Sequence, residues 1–183
     1  MTHWVDEFLV PLNACFPAKV KARKYPDPQS AWDAWDRNED LFWTLWKANA
    51  DRPEKLQTIL LCVCDMAEKV LPIFETQYPS DQRPREAIEA AIRCIKEPSS
   101  ENKKAADDVA NIVIKSLHCY KDTAWNIVAT AYQVADASSC DDDIVFFYRL
   151  GKIADNVELV TGETDIVRKY FPVSPFVQKE ENQ

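Results

Sequence analysis

Glycine is nearly missing from this chain. Two occur among 183 residues, Gly151 and Gly162, where an average protein carries about 7%. Sheet folds use glycine in tight turns, so its scarcity argues for helices joined by turns marked with proline and Asx residues. It also removes the glycine-rich loops that cradle phosphates. Histidine is equally scarce, with only His3 and His118. No GxSxG, HExxH or P-loop pattern occurs, and two histidines do not assemble a nucleophile–His–acid set with any sequence support. No apolar run approaches the ~20 residues that cross a bilayer. The opening MTHWVDEF lacks the basic segment followed by an apolar one that marks a secretory leader. These absences predict a cytoplasmic protein with no membrane span and no catalytic role.

The residues present suit a buried core. Apolar residues make up 46%, with six Trp, eight Phe and six Tyr. A chain of this length suits one domain, residues 1–183, that needs neither metal nor disulfide. Six cysteines (15, 62, 64, 94, 119, 140) lie in helical apolar runs, where a free thiol behaves as a small hydrophobe. Cys62 and Cys64 sit two apart, so on a helix they point about 200° away from each other and do not share one metal. The net charge of −8 repels phosphate backbones, which disfavours direct nucleic-acid binding. It suits either solubility or a surface aimed at a basic partner.

Apolar spacing predicts an all-α fold, a compact bundle or array of about seven to eight helices with antiparallel neighbours. A short helix is expected over residues 3–10, then irregular chain with a helical piece at 14–24. Ser30 is a candidate cap for AWDAWDR, and Asn38 for EDLFWTLWKANA. Trp32 and Trp35, like Trp43 and Trp46, share one helix face. Asp51-Arg52-Pro53 opens a long helix to about residue 77, with apolar positions 56, 60, 63, 67, 70 and 74. Pro72 predicts a kink or an early end near residue 70.

Helices over 82–96, 101–119, 123–137 and 142–160 follow, the last apolar over so wide an arc that it reads as central. The helix at 101–119 is expected to bury Ala105 and Ile112, and the one at 123–137 Trp125. A short helix near 165–171 and a frayed tail over 173–183 close the chain. His118 falls with Asp108, Asn111 and Lys115 on a polar face. Asp141, Asp142 and Asp143 suit the positive end of the helix that follows, a partner-facing acidic patch, or a divalent cation, although EF-hand spacing is missing. Neither a metal nor a cofactor is expected.

The stretch Asp81-Gln82-Arg83-Pro84-Arg85 reads as the start of a helix. Asp81 can accept from the backbone N–H of Arg83, and Pro84 falls in the first turn, where its missing N–H costs nothing. Arg85 and Glu89 stand four apart and can pair. Arg83 meets a helix end of its own sign, so a carboxylate is expected to hold it, with Asp65, Glu68 and Glu75 as candidates.

Four stretches together resemble a family of immunity proteins encoded beside bacterial polymorphic toxins and found also in phage and mobile elements. They are AWDAW (31–35), DLFWTLW (40–46), LLCVCDMA (60–67) and DQRPREAIEAA (81–91). Their order and spacing are similar to that family over about residues 30–140. The resemblance implies an all-α domain that acts by binding, neutralising a basic toxin or other effector by covering it. Asp33, Asp36, Glu39 and Asp40, or Asp141–Asp143, are the candidate acids for that contact. The alternative is a phage or mobile-element protein, either an acidic DNA mimic that inhibits a defence system or an assembly factor.

Overall fold

A computed structural model of the protein describes residues 2–139, 143–163 and 165–177, with the side chains of 137–148 outside the description. The chain is about 75% helical and has no strand among the described residues. Its helices are α1 (Trp4–Phe8), α2 (Phe16–Ala22), α3 (Pro28–Ala34), α4 (Asn38–Ala48), α5 (Pro53–Gln77), α6 (Arg83–Lys96), α7 (Ser100–Ser116), α8 (Asp122–Ser139), α9 (Asp143–Thr161) and α10 (Ile166–Tyr170). Eight of them have seven residues or more, so the expected all-α bundle of seven to eight helices is present.

Local chemistry sets most helix starts. The Asp27 carboxylate accepts from the backbone N–H of Ser30 at 2.8 Å, and Pro28 occupies the first turn of α3. The cap is therefore Asp27, with Ser30 already inside the helix. Ser99 caps α7 by accepting from Asn102 N–H. His3 accepts from Val5 N–H through Nδ1 and caps α1. Asn38 does not cap α4. It lies within the first turn, buried, and its amide donates to Asp155 Oδ1 on α9 at 2.9 Å.

Pro72 does not end α5, which runs through it to Gln77. One lost hydrogen bond is outweighed because Leu71 and Phe74, beyond the expected end, are buried in the core. Consecutive helices from α5 to α9 pack on one another, and α8 contacts α5, α6, α7 and α9. The centre is thus shared between α8 and α9, rather than belonging to α9 alone. A continuous core of buried residues extends from Trp4 to Phe176.

Two faces differ from the sequence reading. On α7 the buried side is Ala106, Ala110, Val113 and Ser116, leaving Ala105 and Ile112 exposed. On α8, Trp125 is exposed. At the chain end, Ser174 and Phe176 are buried where a frayed tail was expected. The Phe176 ring stacks on Phe8 at 5.1 Å and lies 6.4 Å from Trp4.

α4 crosses α9 at Gly151. A Cβ built there would stand 2.5 Å from Glu39 Cγ, 2.8 Å from Glu39 Cα and 2.9 Å from its backbone nitrogen. Two of those atoms are backbone and cannot rotate away. Gly151→Ala is therefore expected to destabilise the fold by about 1–3 kcal/mol, although helix propensity alone favours alanine by ~1 kcal/mol. Urea unfolding of the two proteins reads the sign directly.

Candidate functional site

The Asp81–Arg85 motif folds into a clamp. Asp81 stands one residue before Gln82, the N-cap of α6, and its Oδ1 accepts from Arg83 N–H at 3.2 Å and from Arg83 Nε at 2.8 Å. Oδ2 accepts from Arg83 Nη2 at 2.6 Å and from the Tyr120 hydroxyl. That hydroxyl in turn accepts from Arg83 Nη2 at 2.5 Å. The Tyr120 ring stands edge-on to Phe74 and Tyr78, at 5.4 and 5.3 Å. Arg83 thus takes its carboxylate from two residues upstream, not from α5. Chain geometry explains the difference, because the Asp81 carboxylate is already held beside the helix start by the backbone N–H.

Arg85 is the residue that reaches α5. Its Nε and Nη2 donate to Glu75 Oε1 and Oε2 at 2.6 and 2.8 Å. This two-bonded geometry favours Glu75 over Glu89, and Glu89 is exposed. Pro84 is buried in the first turn. The hollow beside the clamp, lined by Tyr78, Ser80, Asp81 and Cys119 among others, is broad and open to solvent. Its arginine is consumed by Asp81, so it offers no free cation to a substrate.

Little else supplies chemistry. His118 lies in a 3-10 turn, Leu117–Cys119, after α7, and not on the helix face shared by Asp108, Asn111 and Lys115. Its Nε2 is 3.5 Å from Cys119 Sγ, and both residues are exposed. Cys15 and Cys119 are exposed too, against the expectation of core thiols, because each sits at the edge of a short helical turn. Cys64 is buried, and burial pushes its thiol up to about 12. Burial also raises the half-buried Cys62. Neither supplies a thiolate at neutral pH. Among the described residues no group of three His, Cys, Asp or Glu is placed to hold a metal ion. No described helix is long and apolar enough to cross a membrane.

Of the candidate acids, Glu39 and Asp40 line a cleft of about 290 Å³ between α2, the end of α3 and α4, and Asp33 and Asp36 lie outside it. Leu9, Trp35 and Trp43 give it apolar walls, and Lys21, Arg37 and Asp40 reach it. The four candidate acids do not form one flat face. Asp33 is exposed and accepts from Gln29 Nε2 at 2.8 Å. Asp36 is exposed and pairs with Lys21 Nζ at 2.5 Å. Glu39 is half-buried under Gly151, where Arg37 holds one oxygen and Lys152 Nζ lies 3.5 Å from the other. Asp40 forms no ion pair among the described residues. Burial raises its carboxyl above the usual range, an effect that Arg37 and Lys21 partly offset. Asp141 and Asp142, with the side chain of Asp143, lie outside the described residues.

The α3 wall is held from far along the chain. Arg168 donates from Nε to Trp32 C=O at 2.9 Å and from Nη2 to Trp35 C=O, closing the free carbonyl end of α3. Trp32 Nε1 donates to Phe171 C=O at 3.0 Å. Sequence reading missed Lys21, Arg37 and Arg168. The first two carry a signal only in hindsight, as basic residues interleaved with acids, and Arg168 carries none.

Residues 52–109 match the family described as Imm-5 like putative immunity protein. The matched span covers α5, α6 and much of α7, including the Asp81–Arg85 clamp, and is narrower than the 30–140 of the sequence resemblance. The α2–α4 cleft lies outside it. The chain matches no curated protein and no solved structure.

Acid sensitivity tests the clamp. Hydrogen bonding from Arg83 lowers Asp81 from an ordinary 3.8 to about 2. A carboxyl depressed in the folded state stabilises in full above its unfolded value, and the gain is lost as pH falls through the folded one. Asp81→Asn is expected to cost about 1–2 kcal/mol at pH 7, the scale of a charge-assisted hydrogen bond to a partly exposed arginine. That difference should shrink towards zero between about pH 4 and pH 2, as read from urea midpoints of both proteins across the range.

Proposed function

We propose that this chain is a non-catalytic, single-domain cytoplasmic protein that binds a basic bacterial toxin and neutralises it by covering its active surface. The observation that carries this reading is the family match over residues 52–109. The chemistry of the described residues agrees with it. Both arginines of the most distinctive motif are bound to carboxylates of the same chain, and the buried thiols are held protonated. Work done through a surface needs no convergent ionisable groups. A net charge of −8 steers a basic partner towards that surface and speeds association at low salt. Asp33, Asp36, Glu39 and Asp40 are the acids we assign to the contact, with Asp141–Asp143 as further candidates.

The alternative of a phage or mobile-element DNA mimic is supported less well. Mimicry of a duplex requires rows of unneutralised carboxylates. Here many acids are paired with bases, as in Asp6–Arg23, Asp36–Lys21, Lys104–Asp108 and Glu163–Lys169.

The direct experiment sequences the genes flanking that of this chain and co-expresses the chain with the toxin that the reading expects to be encoded there. Growth should be rescued, and the two proteins should co-purify in fixed stoichiometry. Raising salt from about 0.05 to 0.5 M should slow association at least several-fold, because rim charges act over about a Debye length. Absence of both rescue and complex refutes the reading.

A further inference from the structure

The α2–α4 cleft has a size and a lining that point to what it can hold. Its volume of about 290 Å³ is at the lower limit for small-molecule sites, which run from about 300 to 1,000 Å³. It therefore suits one long side chain better than a drug-sized molecule or a length of peptide. Trp35 and Trp43 both line it, Trp35 largely buried and Trp43 half-buried. Flat aromatic faces attract a planar cation, arginine above all, and also accept the methylene stem that carries it.

The charged groups lining the cleft are Lys21, Arg37, Glu39 and Asp40, and they are not equally partnered. Lys21 is held by Asp36 at 2.5 Å and Arg37 by Glu39. Lys152 also reaches Glu39 at 3.5 Å, so Asp36 and Glu39 are both satisfied, and Asp40 has no ion pair among the described residues, although Lys21 and Arg37 act on it through space. A carboxylate that is partly desolvated and lacks an ion pair gains more from an arriving cation than an exposed one does. A guanidinium can bind it through two parallel hydrogen bonds.

We propose that the cleft receives one arginine side chain of the protein partner, its stem against Trp35 and Trp43 and its guanidinium on Asp40. This rests on the binding role proposed above and specifies how that binding is anchored. Arg37 and Lys21 then act as positioning residues. By occupying Glu39 and Asp36 they leave a single acid for the incoming group. Burial of the Asp40 carboxyl, which raises its proton affinity, agrees with a site that is completed by a cation from outside.

The test uses the whole chain and a small probe, so it does not depend on identifying the toxin. The peptide acetyl-Ala-Arg-Ala-amide is titrated into ¹⁵N-labelled protein, and the indole N–H signals of Trp35 and Trp43 are followed. The same peptide with citrulline in place of arginine keeps the shape and removes the charge. Saturable shifts at both indoles are expected with arginine, with affinity about tenfold weaker, or ~1.4 kcal/mol, for citrulline. Asp40→Asn should show the same loss, and the exposed Glu54→Gln should bind as the wild type does. Equal response to the two peptides, or no saturable shift, overturns the proposal on the unaltered chain, whatever the fold of the variant. An unchanged affinity in folded Asp40→Asn overturns it as well. Rescue by the chain without arginine binding would sink this anchor alone, whereas arginine binding without rescue would sink the toxin-neutralising role and leave the anchor standing.

Discussion

The closeness of α4 to α9 at Gly151 sets the position of everything on the α3–α4 side of the molecule. Helix axes normally stand 8–10 Å apart because side chains intervene. Here the missing Cβ admits the backbone of Glu39 itself. The approach fixes more than distance. It presses the Glu39 side chain into a place where Arg37 and Lys152 reach it, and brings Asn38 to Asp155. The first turn of α4 is thus held by polar contacts on α9. Asp40, one residue on, faces the cleft instead.

A second group of contacts ties the two ends of the chain to each other. Arg168 closes the carbonyl end of α3, and the Trp32 indole bonds to Phe171. Ser174 N–H donates to Gln29, while Phe176 is packed by Trp4 and Phe8. Each spans a large sequence separation, and each satisfies a group that would otherwise be an unmade hydrogen bond or an uncovered ring. The cleft is therefore built from long-range contacts, whereas the Asp81–Arg85 clamp is mostly local.

That contrast explains what the sequence revealed. The α5 seam at 63, 67, 70 and 74 and the start of α6 depend on spacing and capping within a few residues, and both were legible. Pro72 misled because a local breaker rule was overridden by burial of Leu71 and Phe74. Ile112 and Trp125 misled because periodicity identifies an apolar face without saying which part a neighbouring helix covers. Asn38 looked like a cap until its partner on α9 was known. The cleft was not legible at all. Asp33, Asp36, Glu39 and Asp40 stand close in sequence, yet their environments differ because Lys21, Gly151 and Lys152 arrive from elsewhere.

The Arg168 clasp also orders events during synthesis. The carbonyls of Trp32 and Trp35 are translated early, and the guanidinium that satisfies them follows more than a hundred residues later. A nascent chain can form α5 and α6 from neighbouring sequence while the end of α3 still has water on its carbonyls. The end of α3 consequently lacks this partner until α10 is made, and a ribosome-bound fragment that stops short of α10 carries the clamp without that support for the cleft.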